Sequence, residues 1–292
     1  MGYCFMMMTA LLCSCSSDDD NTQQDDSNGR CMRQLTISNV MMNTRAAIAI
    51  DPTAYTATAT WEITDRPTYI NLSLLSAELR YGTLTPSTAG TSTTLTGSVY
   101  CGKEDNIAII LPNVTPVLPS GGNAYYPVDL RGQKGTLADI GARYHYIYGE
   151  GKVVSVDGGT ATGSITNTKS LLSLCKFTFT NGGKSVNVKS VQIGWGTDGA
   201  TGYPQTGTVS LADPANVSAV GGSSDGPLTI TLDEANSAGV VYVALFPCDE
   251  KLTFHFTVSD GTNNYTATKK AKMLAGKYYE VPVTLSKLDK QF

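Results

Sequence analysis

Short segments in which apolar and polar residues alternate with a period of two run through this chain, and they admit few folds. The clearest is Leu172-Ser173-Leu174-Cys175-Lys176-Phe177-Thr178-Phe179-Thr180. As a β-strand it places Leu172, Leu174, Lys176 and Thr178 on one face and Cys175, Phe177 and Phe179 on the other. Asn181-Gly182-Gly183-Lys184 follows and can turn the chain back into Val186 to Ile193. In Leu252-Thr253-Phe254-His255-Phe256-Thr257-Val258 the apolar residues again share one face. A strand with one apolar and one wet side is stable only when the apolar side is covered, which predicts sheets packed face to face.

Further strand candidates fill both halves. In the first they are Leu35 to Met42, Ala57 to Ile63, Ile70 to Leu79, Ser98 to Cys101, Ile107 to Leu111, Tyr125 to Leu130 and Gly151 to Val156. In the second they are Leu228 to Leu232, Val240 to Leu245, Asn264 to Thr268 and Tyr278 to Leu285. Clusters of Gly, Pro, Asn, Asp and Thr separate most of them, the pattern of antiparallel sheets rather than of alternating strand and helix. A helical reading is confined to Thr136 to Ala142 and part of Ile70 to Leu79. The expected fold is all-β, with two antiparallel β-sandwich domains at residues 35–165 and 166–292. The Thr-, Gly-, Ser- and Asn-rich stretch near residues 160–170 reads as their connection.

Upstream, Phe5 to Leu12 is apolar and closes on Leu12-Cys13-Ser14-Cys15. It is too short for a bilayer, which takes about 20 apolar residues, and it reads as a targeting segment outside the fold. It resembles a bacterial lipoprotein signal over residues 1–15, although no Lys or Arg precedes it. Leu12 and Ser14 make Cys15 the expected lipidated residue ahead of Cys13. Residues 16–34, with Asp18, Asp19, Asp20, Asp25 and Asp26, cannot bury apolar surface and read as a disordered acidic tether. An acidic stretch after the lipid cysteine resembles the signal that sends Bacteroidetes lipoproteins to the outer face of the outer membrane.

Composition narrows the function. Charged residues are 16% of the chain, below the usual quarter, and the net charge is −4. No basic patch exceeds Lys269-Lys270 with Lys272, so nucleic acid is not an expected partner. With Cys4 and Cys13 in the leader and Cys15 lipidated, Cys31, Cys101, Cys175 and Cys248 remain, without metal-ligand spacing. Spacing selects none of their three pairings. His145 lies among Tyr144, Tyr146 and Tyr148, and His255 on the less apolar face of its strand. No H-E-x-x-H, G-x-S-x-G or phosphate-cradling loop is present. Asp233-Glu234 and Asp249-Glu250 are adjacent carboxylates, which need not share a cleft. Residues 18–26 lack the spaced ligands of an EF-hand loop. The expectation is a non-catalytic protein with no metal or other cofactor.

The acidic tether, Arg45, and a second half that opens on LLSLCKFTFTNGGKSVNVKSVQI and closes on KKAKMLAGKYYEVPVTLSK together resemble the fimbrillin-like proteins of Bacteroidetes, the subunits and anchors of type V pili. The resemblance implies transthyretin-like topology, lipidation, a place in the fimbrium at the surface of the outer membrane, and cutting by an arginine-specific protease after the first strand. Loss of that strand opens a groove for another subunit's C-terminal strand, so other pilus subunits are the implied partners. On this chain the lost strand would be Leu35 to Met42 and the scissile bond Arg45–Ala46. A cut at Arg30 or Arg33 would leave that strand attached. Tyr279, Val281, Val283 and Leu285 alternate well, but Ser286 to Phe292 is short for a donor strand, which leaves room for a minor, anchoring or terminal subunit. The alternative is a non-polymerising adhesive lipoprotein that takes a host protein or a glycan. Trp61 and Trp195 could stack on sugars, and Trp195 lies in Gly194-Trp195-Gly196-Thr197-Asp198-Gly199. An aromatic between glycines can equally plug the open end of a sandwich.

Overall fold

A computed structural model describes residues 29–41, 49–51, 56–58, 60–74, 79–117, 125–196, 202–210, 217–220 and 225–288. The first half carries β1 (Cys31–Met41), β2 (Ala49–Asp51), β3 (Thr56–Thr58), β4 (Thr68–Asn71), β5 (Tyr81–Thr83), β6 (Thr85–Pro86), β7 (Ser92–Cys101), β8 (Asn106–Leu111), β9 (Tyr125–Asp129), β10 (Ile147–Asp157) and β11 (Thr160–Ser170). Between β9 and β10 lie a short helix α1 (Leu137–Asp139) and a π-helical turn, Ile140–Tyr144. Thr136 caps α1 by accepting from the Asp139 N–H.

Eight of these strands form one sheet in the order β5-β4-β8-β10-β11-β1-β7-β6. The sheet curls almost closed, because β5 at one end and β6 at the other are joined through the single buried residue Leu84. Closure needs glycine where the backbones meet. A Cβ on Gly97 would lie 2.6 Å from the Thr83 carbonyl oxygen. Leu35, Ile37, Leu95, Val99, Ile107, Ile109, Val153 and Trp61 fill the inside.

The second half carries β12 (Ser173–Asn181), β13 (Lys184–Ser185), β14 (Val188–Gly196), β15 (Thr206–Ser210), β16 (Ser218–Val220), β17 (Leu228–Asn236), β18 (Val240–Leu245), β19 (Cys248–Ser259), β20 (Asn264–Met273), β21 (Tyr278–Thr284) and β22 (Ser286–Lys287). One sheet has β12 between β21 and β18, with β13 at its end. The other runs β17-β14-β19-β20-β22. Their apolar faces meet. Phe256 of β19 stands edge-on to Phe177 and Phe179 of β12, with ring centroids 5.0 and 5.8 Å apart. The face that the alternation assigns to Cys175, Phe177 and Phe179 is thus the buried one. The all-β class holds, and the packing is that of a β-sandwich.

The two halves share more than a connection. β9 pairs with β15, in a small sheet that ends on β16. Tyr126, Val128, Ile70 and Ile110 join the same core as Phe177, Val191 and Phe256. Gln133, fully buried, accepts from the Ala244 N–H through Oε1 (2.8 Å) and donates from Nε2 to the Ala244 carbonyl (3.0 Å). Its amide does the work of a neighbouring strand for β18. The stretch after β9 therefore covers the rim of the second sandwich.

Three local expectations change. Residues 160–170, read as a connection, form β11 between β10 and β1. At Gly163 larger neighbours take up the side-chain space; a Cβ there would come within 3.2 Å of Ile37 and 3.4 Å of Ile107. β1 begins at Cys31, inside the stretch 16–34 read as tether, because Cys31 and Arg33 continue the buried face of Leu35 and Ile37. Of the stretch Ile70 to Leu79, β4 takes Ile70 and Asn71 and a turn follows.

Candidate functional site

β1 is an interior strand. On one side it runs antiparallel to β7, from Cys31 opposite Cys101 to Met41 opposite Ser92; on the other it runs parallel to β11, from Gln34 opposite Thr160 to Ile37 opposite Gly163. A bulge between Ile37 and Val40 is turned by Asn39, whose φ is +55°, a conformation that asparagine tolerates. Cys31, Arg33, Leu35, Ile37 and Val40 point inward and are buried, while Met32, Gln34 and Ser38 face solvent. Each buried aliphatic side chain contributes roughly 2 kcal/mol by its removal from water.

Polar contacts fasten both ends of this strand. Just before it, Arg30 forks onto Asp105, with Nη2 2.7 Å from Oδ1 and Nε 3.0 Å from Oδ2. Asp105 is 2% exposed and also accepts from Asn71 Nδ2 (2.7 Å) and from the Gly102 N–H (2.8 Å). Arg33 is buried with its charge met by backbone: it donates to the carbonyls of Gly158 (3.0 Å), Gly29 (3.2 Å) and Cys101. Burial pushes the Cys101 thiol up to about 11 and holds the nearby Tyr69 phenol far above its ordinary value. At the other end, Trp61 is 1% exposed and donates from Nε1 to the Val40 carbonyl (2.9 Å). It is a clamp on β1, buried away from any sugar. Nothing in the sequence around Trp61 signals this contact, which a long-range bridge to Gly90 sets up.

Cys15, Arg45 and Ala46 lie outside the described residues. Arg45 follows Met41, the end of β1, by a few positions. The upstream arginines are built into the fold, Arg30 in its ion pair and Arg33 within β1. Trp195 sits on β14, half-buried, with its ring 4.7 Å from that of Tyr203 and 6.1 Å from that of Phe254. It packs against the core at that end and is partly exposed.

At the other end of the chain, β21 pairs with β12 and β22 returns to β20, so Tyr278 to Lys287 belongs to its own sandwich. The two histidines stand on separate elements, His145 buried after the π-helical turn and His255 on β19 opposite Gly194 and Thr268. Among the described residues no three His, Cys, Asp or Glu side chains converge as a metal site.

These features define an all-β protein with sandwich packing and a buried first strand. The chain is similar in structure to a candidate cell adhesion protein from Bacteroides ovatus, with a TM-score of 0.56 and 15% identity over 89% of this chain and 97% of the other. It is similar also to one from Bacteroides uniformis, with a TM-score of 0.53 and 12% identity over 90% and 94%. At these identities the likeness is one of fold. No family model matches the sequence, and no curated protein matches it.

Proposed function

We propose that this chain is an adhesive or fimbrial protein of the bacterial surface, and specifically a lipoprotein that serves as a structural, minor or anchor subunit of a type V pilus. The observation that carries the reading is the seat of β1: an interior strand, bonded on both edges, closely followed by Arg45. An arginine-specific protease cutting at Arg45–Ala46 would separate β1 from the rest of the fold. Its departure would free the facing edges of β7 and β11 and uncover Leu95, Val99 and Ala161, a template for an extended strand of another subunit. Until that cut, lipid on Cys15 and the acidic tether would hold the protein to the outer membrane. The shared fold with candidate cell adhesion proteins of Bacteroides supports the adhesive or fimbrial part.

The test is intact mass, N-terminal sequence and sizing of the soluble chain downstream of Cys15, before and after an arginine-specific protease. A new terminus at Ala46 with higher oligomers, both lost in Arg45→Ala, is the expected result. A cut chain that stays monomeric, or an Arg45 that resists cutting, overturns strand replacement. The half-exposed Trp195 then becomes the place to look for a glycan.

A further inference from the structure

Cys31 is the first residue of β1 and Cys101 the last of β7, and the register sets them directly opposite each other. Opposed residues of an antiparallel pair have Cα atoms about 4.5–5.5 Å apart, within the span of about 4.4–6.8 Å that a disulfide bridges. Their Cβ atoms, about 4.5–5.5 Å apart, need to close by roughly an ångström. Both positions are at strand ends, where the ladder stops and no further rung beyond the pair holds its spacing. Both side chains are buried thiols. Arg30 on Asp105 and Arg33 on the Cys101 carbonyl already hold the two strand ends together.

We propose that Cys31 and Cys101 form a cross-strand disulfide once the chain has left the reducing cytoplasm, a covalent tie that fixes β1 to β7. The bond forms by thiol–disulfide exchange with an exported disulfide-bearing oxidoreductase. The two thiols lose two protons and two electrons as their sulfurs join, and the oxidoreductase's disulfide is reduced to two thiols. A buried thiol at about 11 offers little thiolate, so the exchange takes place before the end of β1 docks or when it frays. The tie closes a long loop, from residue 31 to residue 101, and so removes much of the freedom of the unfolded chain. Its consequence for assembly rests on the strand-replacement reading above: with the bond in place, a cut after β1 does not release the strand until a dithiol reductant returns the disulfide to two thiols and is itself oxidised to a disulfide. Cys175 and Cys248 are the internal control. They lie near each other in the same core, but no strand register opposes them: Cys175 faces Val243 and Tyr279, Cys248 faces Met273, and the Cys175 Sγ is 3.3 Å from the Met273 sulfur.

The test is the full chain exported to a bacterial periplasm, alkylated on lysis under denaturing conditions and mapped by mass spectrometry. One cross-linked peptide pair containing Cys31 and Cys101 is expected, with Cys175 and Cys248 alkylated. Reduction should lower the Tm by on the order of 5–10 °C. Cys31→Ser and Cys101→Ser variants should start at the lower value and ignore reductant. Alkylation of Cys31 and Cys101 in the exported chain, or their linkage to other cysteines, overturns the proposal. After an arginine-specific cut, the β1 peptide should stay attached on a denaturing non-reducing gel and leave with reductant. Oligomers should then form only from reduced or Cys101→Ser protein. A cross-linked chain that resists the protease upholds the disulfide and defeats strand replacement, and a chain that is cut and polymerises without any Cys31–Cys101 link does the reverse.

Discussion

β1 and β21 both run parallel to a neighbour in sheets that are otherwise antiparallel, and beyond that they are opposites. β1 has β7 on its second edge, whereas β21 has no second partner among the described residues. β1 buries every other residue from Cys31 to Ile37; in β21 only Tyr278 and Val283 are fully covered. Pro282, which has no N–H to give, fits on an edge and would weaken an interior strand. The energy of a strand therefore resides less in its own alternation than in the number of edges and faces its neighbours cover. Two strands of similar sequence pattern are seated very differently, and the first would leave a far deeper gap.

Truncation separates the two strands most strongly. A chain lacking residues 29–41 should fail to show a cooperative unfolding transition, whereas one ending at Lys277, and so without β21, should keep a cooperative transition at a lower temperature, both read by thermal denaturation. Next in size, Asp105→Ala leaves the Arg30 guanidinium and the amides of Asn71 and Gly102 without their acceptor; a loss of about 4 kcal/mol is expected in denaturant unfolding. Equivalent truncations on the two strands sharpen the contrast. Ile37→Ala should cost about 3 kcal/mol, and Val281→Ala, on a partly covered edge, about 1 kcal/mol. Equal costs would show that β1 is no more deeply seated than β21.

The smallest effect concerns the exposed side of β21. There Glu280 accepts from the Tyr278 hydroxyl (2.8 Å) and from Lys176 Nζ (3.1 Å), which holds its carboxyl below the usual glutamate range. A depressed folded-state value contributes stability above the unfolded pKa, and that stability is lost as pH falls through the folded value. Glu280→Gln should thus remove part of the acid-side decline in Tm while changing neutral stability by about 0.5 kcal/mol or less. A steeper acid decline in the variant would reverse the sign of this assignment.

Much of the second sandwich was legible from sequence, because Phe177, Phe179, Phe254 and Phe256 alternate with Thr and His side chains and that pattern survives in the fold. β11 was not legible. Its Thr, Ser and Gly residues show no apolar period, and the strand exists because β10 and β1 offer backbone partners on both sides. The candidate site divides in the same way. Leu35 to Met42 reads as a strand, and Arg45 can be seen to follow it. That the strand starts at Cys31, lies inside a sheet and is clamped by Trp61 depends on contacts between residues far apart in the chain. For that reason Trp61 offers no face to a sugar, since a tryptophan's accessibility is set by what folds over it.

The all-β class and the buried face of several strands follow from the amino-acid order alone, because a period of two is a local property of each segment. Strand order, the near-closure through Leu84, the reach of Gln133 into the second sandwich and the placement of Cys31 opposite Cys101 arise from contacts between distant segments. Those depend on which edges find each other and in what register, and alternation carries no label naming its partner.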